Sequence, residues 1–142
     1  MNEKLHQEFE KAYHKPATQA YFSPGRVNLI GEHIDYNGGL VMPCAITFGT
    51  YLLIAPNNEG VFRFKSLNFN EELTIPLQDS YQKDGSGWYN YPLGVIHNFV
   101  QDGHRLQGLD MLFYGDIPIG SGLSSSASIE VVTAFSMNHI FN

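Results

Sequence analysis

The 142 residues are 43% apolar and 13% aromatic, enough for one hydrophobic core and too apolar for a disordered chain. Eight basic residues against 14 acidic ones leave a formal charge of −6, which provides no electrostatic footprint for nucleic acid. Cys44 is the single cysteine, so an internal disulfide and a multi-cysteine zinc site are excluded; with no signal-peptide pattern and no apolar run of about 18 residues, the sequence reads as cytoplasmic.

Leu5, Phe9 and Tyr13 recur at four-residue spacing and predict an amphipathic first helix ending near Lys15-Pro16. A short strand over "TQAYFS" is expected next. The following stretch, "SPGRVNLIGEHIDYNGG" (23–39), is rich in Pro and Gly and predicts a shaped loop. "AITFGTYLLIAPN" and "GVFRFKSLNF" read as strands joined by the turn Asn57-Asn58-Glu59-Gly60, with "EELTIPL" as a third strand of a meander. "WYNYPLGVIHNFVQDG" predicts a helix with Trp88, Tyr91, Val95, Phe99 and Val100 near one face, Pro92 in its first turn and Gly103 as its stop. "GLDMLFYG" alternates Leu109, Met111 and Phe113 as a strand would. From Ser124 onward the apolar residues leave almost no polar face, which predicts a helix buried on several sides. Apolar Ile140 and Phe141, with no Gly or Pro stop signal after them, suggest a domain that continues past Asn142.

Two stretches concentrate chemistry. In the first, Arg26, Glu32, His33 and Asp35 sit among Val27, Leu29, Ile30 and Ile34, and charges among aliphatic residues are usually paired or functional. A metal set of Glu, His and Asp is one reading, although no second cluster of His and acids completes it. The other is recognition of vicinal sugar hydroxyls by two carboxylates and an imidazole.

The second stretch, "DIPIGSGLSSSASIEVV", places Gly120, Gly122 and three serines between a strand and an apolar helix. Small residues allow close backbone approach, and the free N–H groups of a helix's first turn favour an anion such as phosphate. Ser124, Ser125 and Ser126 add hydroxyls for phosphate oxygens or Mg²⁺. The loop has no lysine for a Walker A motif, no third glycine or downstream acid for a dinucleotide fingerprint, and no G-x-S-x-G elbow. A helix N-cap with spare serines is the plain alternative.

Together the stretches resemble a known family. "PGRVNLIGEHIDYNGG" resembles the galactokinase signature, and "PIGSGLSSSAS" is similar to the phosphate-binding motif of the GHMP small-molecule kinases, which include galactokinases. "GWYNYPLGVI" and "KSLNF" are similar to galactokinase segments as well. The resemblance implies ATP-dependent phosphorylation of galactose to galactose 1-phosphate, with ATP and Mg²⁺ required.

It implies an α+β fold, a mixed sheet with helices packed on one face, as in the partial N-terminal domain of a GHMP kinase (1–142). That domain would hold the sugar signature (23–39) and the phosphate loop (118–128). Carried over, Glu32, His33, Ile34 and Asp35 would bind sugar, and Arg26 would stabilise charge at the attacking oxygen. Gly120, Ser121, Gly122, Leu123, Ser124, Ser125 and Ser126 would wrap the ATP phosphates, Ser126 would also ligate magnesium, and Ser66 and Trp88 would lie near the nucleotide. The family's base aspartate, its glutamate metal ligand and its C-terminal domain would lie beyond Asn142, leaving this chain inactive alone and in need of that missing part. The alternatives are an N-acetylgalactosamine kinase, which would share most of the first motif, and a non-catalytic galactose- and ATP-binding sugar sensor, over which the intact "GLSSSAS" and Arg26 favour catalysis. Cys44 and His97 read as structural residues, and no nucleic-acid or membrane partner is expected.

Overall fold

A computed structural model of the chain describes residues 1–29, 38–118 and 125–142. The elements in order are α1 (Asn2–Tyr13), β1 (Gln19–Asn28), β2 (Pro43–Pro56), β3 (Val61–Ser66), β4 (Leu73–Pro76), α2 (Asn90–Gln101), β5 (Leu109–Gly115) and α3 (Ser125–Phe141). The strands form one mixed sheet in the order β1-β2-β5-β3-β4, with β3 and β5 parallel and the other neighbouring pairs antiparallel. No helix among the described residues is long and apolar enough to cross a membrane.

Side-chain alternation divides the core. Leu52, Ile54, Phe62, Phe64, Met111 and Phe113 face α2 and α3, which supply Leu93, Ile96, Val132 and Met137. Leu53, Ala55 and Leu112 face the other way and are covered by Leu5 and Phe9 of α1. The expected mixed sheet is present, and α2 and α3 share one face as anticipated; α1 lies on the opposite face. Tyr13 closes that layer by donating its hydroxyl to Met111 O at 2.7 Å. Burial with Asp110 close by pushes the Tyr13 hydroxyl far above its usual range, so it remains a donor.

The meander expectation is corrected. β3 and β4 do form a hairpin, but β5 lies between β2 and β3. The connection after β2 is held open to admit it. Asn57 N–H donates to Gly108 O at 3.0 Å, and Asn57 Nδ2 donates to Val61 O at 3.1 Å and to Asp110 Oδ1 at 3.0 Å. Gly108 has to be glycine there, because a β-carbon would collide with Asn57 Oδ1 and lie 2.8 Å from Val61 O.

Two helical faces also differ from the sequence reading. In α2 the buried residues are Pro92, Leu93 and Ile96, whereas Tyr91 stays exposed. In α3 the buried side is Ser128, Val132, Thr133, Ser136 and Met137, while Val131 and Phe135 are 56% and 63% exposed. The reason is hydroxyl satisfaction. Thr133 Oγ1 donates to Ile129 O at 2.7 Å and Ser136 Oγ to Thr133 O at 2.8 Å, so short polar residues can pack closely inside. α3 is therefore covered on one side, not several.

Asp110 is 1% exposed within the most buried strand. Its carboxylate accepts from Arg63 Nη1 at 3.0 Å and pairs with Lys15 Nζ at 2.7 Å, besides the bond from Asn57. Replacing one member strands the others in a poorly solvated site. Asp110→Ala is expected to lower unfolding free energy by about 2–3 kcal/mol, less than for a fully buried pair because both cations reach solvent; urea denaturation measures it.

Candidate functional site

The predicted loop at 23–39 begins as regular structure: β1 runs through Ser23, Pro24, Gly25, Arg26, Val27 and Asn28. β1 is an edge strand, where the missing N–H of Pro24 breaks no ladder on its open side. The register changes between Pro24, opposite Gly49, and Arg26, opposite Ala45. β2 therefore carries extra residues across from Gly25, a bulge that re-aims the strand just before Arg26. Gly49 permits the close crossing, since a β-carbon there would collide with Ser23 O and with the Phe22 ring.

α3 brings the second motif to this bulge. Ser128 is 2% exposed and its Oγ donates to Ser23 O at 2.8 Å, bridging 105 positions of sequence. At 100° per residue, the first turn of α3 presents different residues to its two flanks. Ala127, Ser128 and Val131 line a shallow depression with Arg26, Pro43, Cys44 and Ala45. Ser125, Ser126 and Ile129 line another cavity, of about 320 Å³, with Ser66, Phe69 and Trp88.

The second cavity has a polar side and an aromatic one. Thr50, Ser66, Asn68, Ser125 and Ser126 supply hydroxyls and an amide; Phe69, Trp88 and Phe113 supply rings. Trp88 is fixed by donation from Nε1 to Glu71 O at 2.7 Å, by an edge contact with Phe113 at 5.3 Å and by stacking on Phe69 at 6.5 Å. Ser66 Oγ accepts from Asn68 N–H at 3.0 Å, which leaves its own proton free to be donated elsewhere.

Of the residues singled out from sequence, Ser66, Trp88, Ser125 and Ser126 meet in this cavity, and Arg26 lies on the other flank of α3. Glu32, His33, Ile34 and Asp35, and Gly120, Ser121, Gly122, Leu123 and Ser124, lie outside the described residues. Asn68 and Phe69 were not singled out, although they stand two and three positions after Ser66 in "KSLNF". Thr50 carried no signal, because only strand pairing brings it there. Among the described residues, no three His, Cys, Asp or Glu side chains gather where they could hold a metal.

The family model for the galactokinase galactose-binding signature matches residues 7–56, and that for the GHMP kinases N terminal domain matches residues 90–142. The chain is thus similar in fold and in its paired motifs to the N-terminal domains of GHMP kinases. Its relatives along nearly the whole chain are galactokinases: those of Clostridium tetani and Clostridium beijerinckii are 47% and 49% identical over 97% of it. The crystal structure of Lactococcus lactis galactokinase complexed with galactose superposes with a TM-score of 0.89 at 37% identity, over 99% of this chain and 37% of that one. Mevalonate kinase from Methanococcus jannaschii gives a TM-score of 0.75 at 25% identity, over 87% of this chain and 41% of its own. The chain spans 35% and 36% of the two clostridial proteins.

Ser128→Ala would leave Ser23 O buried without its donor, and a lost bond of this kind costs about 1–2 kcal/mol. The expected outcome is that loss in urea unfolding, with Ser128→Thr recovering part of it.

Proposed function

We propose that this chain is the galactose- and ATP-binding part of a galactokinase, whose whole protein transfers the γ-phosphoryl group of ATP to the anomeric hydroxyl of galactose, giving galactose 1-phosphate and ADP. The observation that carries the reading is the placement of α3: its first turn separates the Arg26 depression from the serine-lined cavity. A hexose on one flank and a triphosphate on the other would meet at the helix N-terminus, where free N–H groups and the dipole favour negative charge.

On this reading Glu32, His33, Ile34 and Asp35 bind the sugar, with the two carboxylates accepting from its hydroxyls. Arg26 stabilises the charge that develops on the attacking oxygen. Residues 120–126 enclose the phosphates, and the aromatic side of the cavity, with Trp88 and Ser66, takes the nucleoside. The hydroxyl of Ser126, half-buried in the first turn of α3, suits Mg²⁺, which is commonly held by one or two protein ligands together with substrate phosphates. Bound magnesium would offset phosphate charge during transfer. The domain reading of 1–142, with its sugar signature at 23–39 and phosphate loop at 118–128, is part of this proposal, as is a cytoplasmic location.

A further segment of the longer protein is expected to complete the site. The exposed Val131 and Phe135 of α3, the latter packed on the edge of Tyr21 at 6.1 Å, offer an apolar face for it.

Trp88 is the single tryptophan, so its fluorescence reports on the cavity. Titration with MgATP is expected to change it saturably; no change up to millimolar nucleotide would refute the nucleotide assignment. With galactose and ATP together, residues 1–142 are expected to give no turnover in a coupled assay for ADP, because phosphoryl transfer depends on positioning by the whole cleft. Robust galactose 1-phosphate formation by these residues would show that they suffice.

A further inference from the structure

We propose that Asn68 and Asp116 are positioning residues which fix the exit of the chain from β5 and so hold the polar end of the nucleotide cavity in shape; this inference rests on the nucleotide reading above. Asn68 behaves as a one-residue strand. Its Nδ2 donates to Gly115 O at 2.8 Å and its Oδ1 accepts from Gly115 N–H at 2.8 Å, the two bonds a neighbouring strand would exchange with one residue. On the other flank, Asp116 Oδ1 accepts from Gly49 N–H at 2.7 Å, and Asp116 N–H donates to Gly49 O at 3.1 Å.

The exit is thus gripped from both sides by side chains where the regular ladder ends. β3 stops at Ser66, and Thr50–Gly115 is the last pair between β2 and β5. Gly115 has no side chain with which to hold itself, and it lies beside Asn68 and Thr50 on the cavity that Ser125 and Ser126 also line. Asn68 is anchored in turn: Leu67 N–H donates to Phe113 O at 3.0 Å, and Asn68 N–H to Ser66 Oγ. Because Asn68 is exposed, water could satisfy the same Gly115 groups, so its bonds contribute direction more than stability. A strand exit turned away from the first turn of α3 would misplace the polar end, whereas the ring-lined end rests on Trp88 and Phe113 independently of it.

The test uses the Trp88 signal with two probes, MgATP and adenosine, which share the base and differ in the phosphates. Asn68→Ala and Asp116→Ala are each expected to weaken MgATP binding about tenfold, the size of one well-placed interaction, with adenosine affinity nearly unchanged. Asn68→Asp keeps the acceptor but sets a charge against Gly115 O, and is expected to behave like the alanine variant. Asp116→Asn keeps an acceptor for Gly49 N–H and is expected to bind MgATP like wild type. Thermal melting verifies that each variant is folded, and the aspartate and asparagine variants carry the test if an alanine variant is not. Folded alanine variants with wild-type MgATP affinity would overturn the inference and leave the nucleotide reading standing. So would equal losses for MgATP and adenosine. A wild-type chain that binds neither probe would overturn both.

Discussion

The insertion of β5 between β2 and β3 is the constraint on which the rest of the structure depends. Its residues Leu109, Asp110, Met111, Leu112 and Phe113 are all at most 2% exposed, so it must be covered on both faces and paired on both edges. Met111 and Phe113 then meet α2 and α3, and Leu112 meets α1. Asp110 would be an isolated charge in that strand but for Arg63 and Lys15. The cavity is a consequence of the same placement, because Phe113 and Gly115 form the part of it that lies between Thr50 of β2 and Ser66 of β3.

Around this strand the two chemical motifs converge. The bond from Ser128 to Ser23 fixes the start of α3 against the bulged edge strand, so the segment carrying Arg26 and the segment carrying Ser125 and Ser126 share one structural junction. The bulge turns β1 just before Arg26, and Gly49 lets the strands cross closely enough for Ser23 O to be reached. On the proposed kinase reading this junction would hold the two ligands in a fixed relation, since small displacements of reacting groups cost large factors in rate.

Much of the local structure was legible. Leu5, Phe9 and Tyr13 marked α1, the alternation of Leu109, Met111 and Phe113 marked β5, and Gly103, at φ +89°, stops α2 as expected. The errors in the two helical faces share one cause. Periodicity shows which residues are apolar, and it does not show which face a neighbour will take. In α2 and α3 the buried sides carry Leu93, Ile96, Ser128 and Ser136, and Tyr91, Val131 and Phe135 were left outside. Pro24 and Gly25 read as loop residues because their strand use depends on an edge and a bulge.

By itself the sequence determined the chemistry carried: an arginine among aliphatic residues, a serine-rich helix start, and two motifs whose similarity to GHMP kinases can be read without coordinates. Residue type and short-range spacing suffice for that, since a motif is a local object. The tertiary structure alone decided that β5 would separate β2 from β3, that Thr50, Asn68 and Phe69 would join Ser66 and Trp88, and that the first turn of α3 would present Ser125 and Ser126 to one cavity and Ala127 and Ser128 to the depression lined by Arg26. Those are contacts across tens of residues, fixed by burial on both faces of a single strand and by one buried hydroxyl.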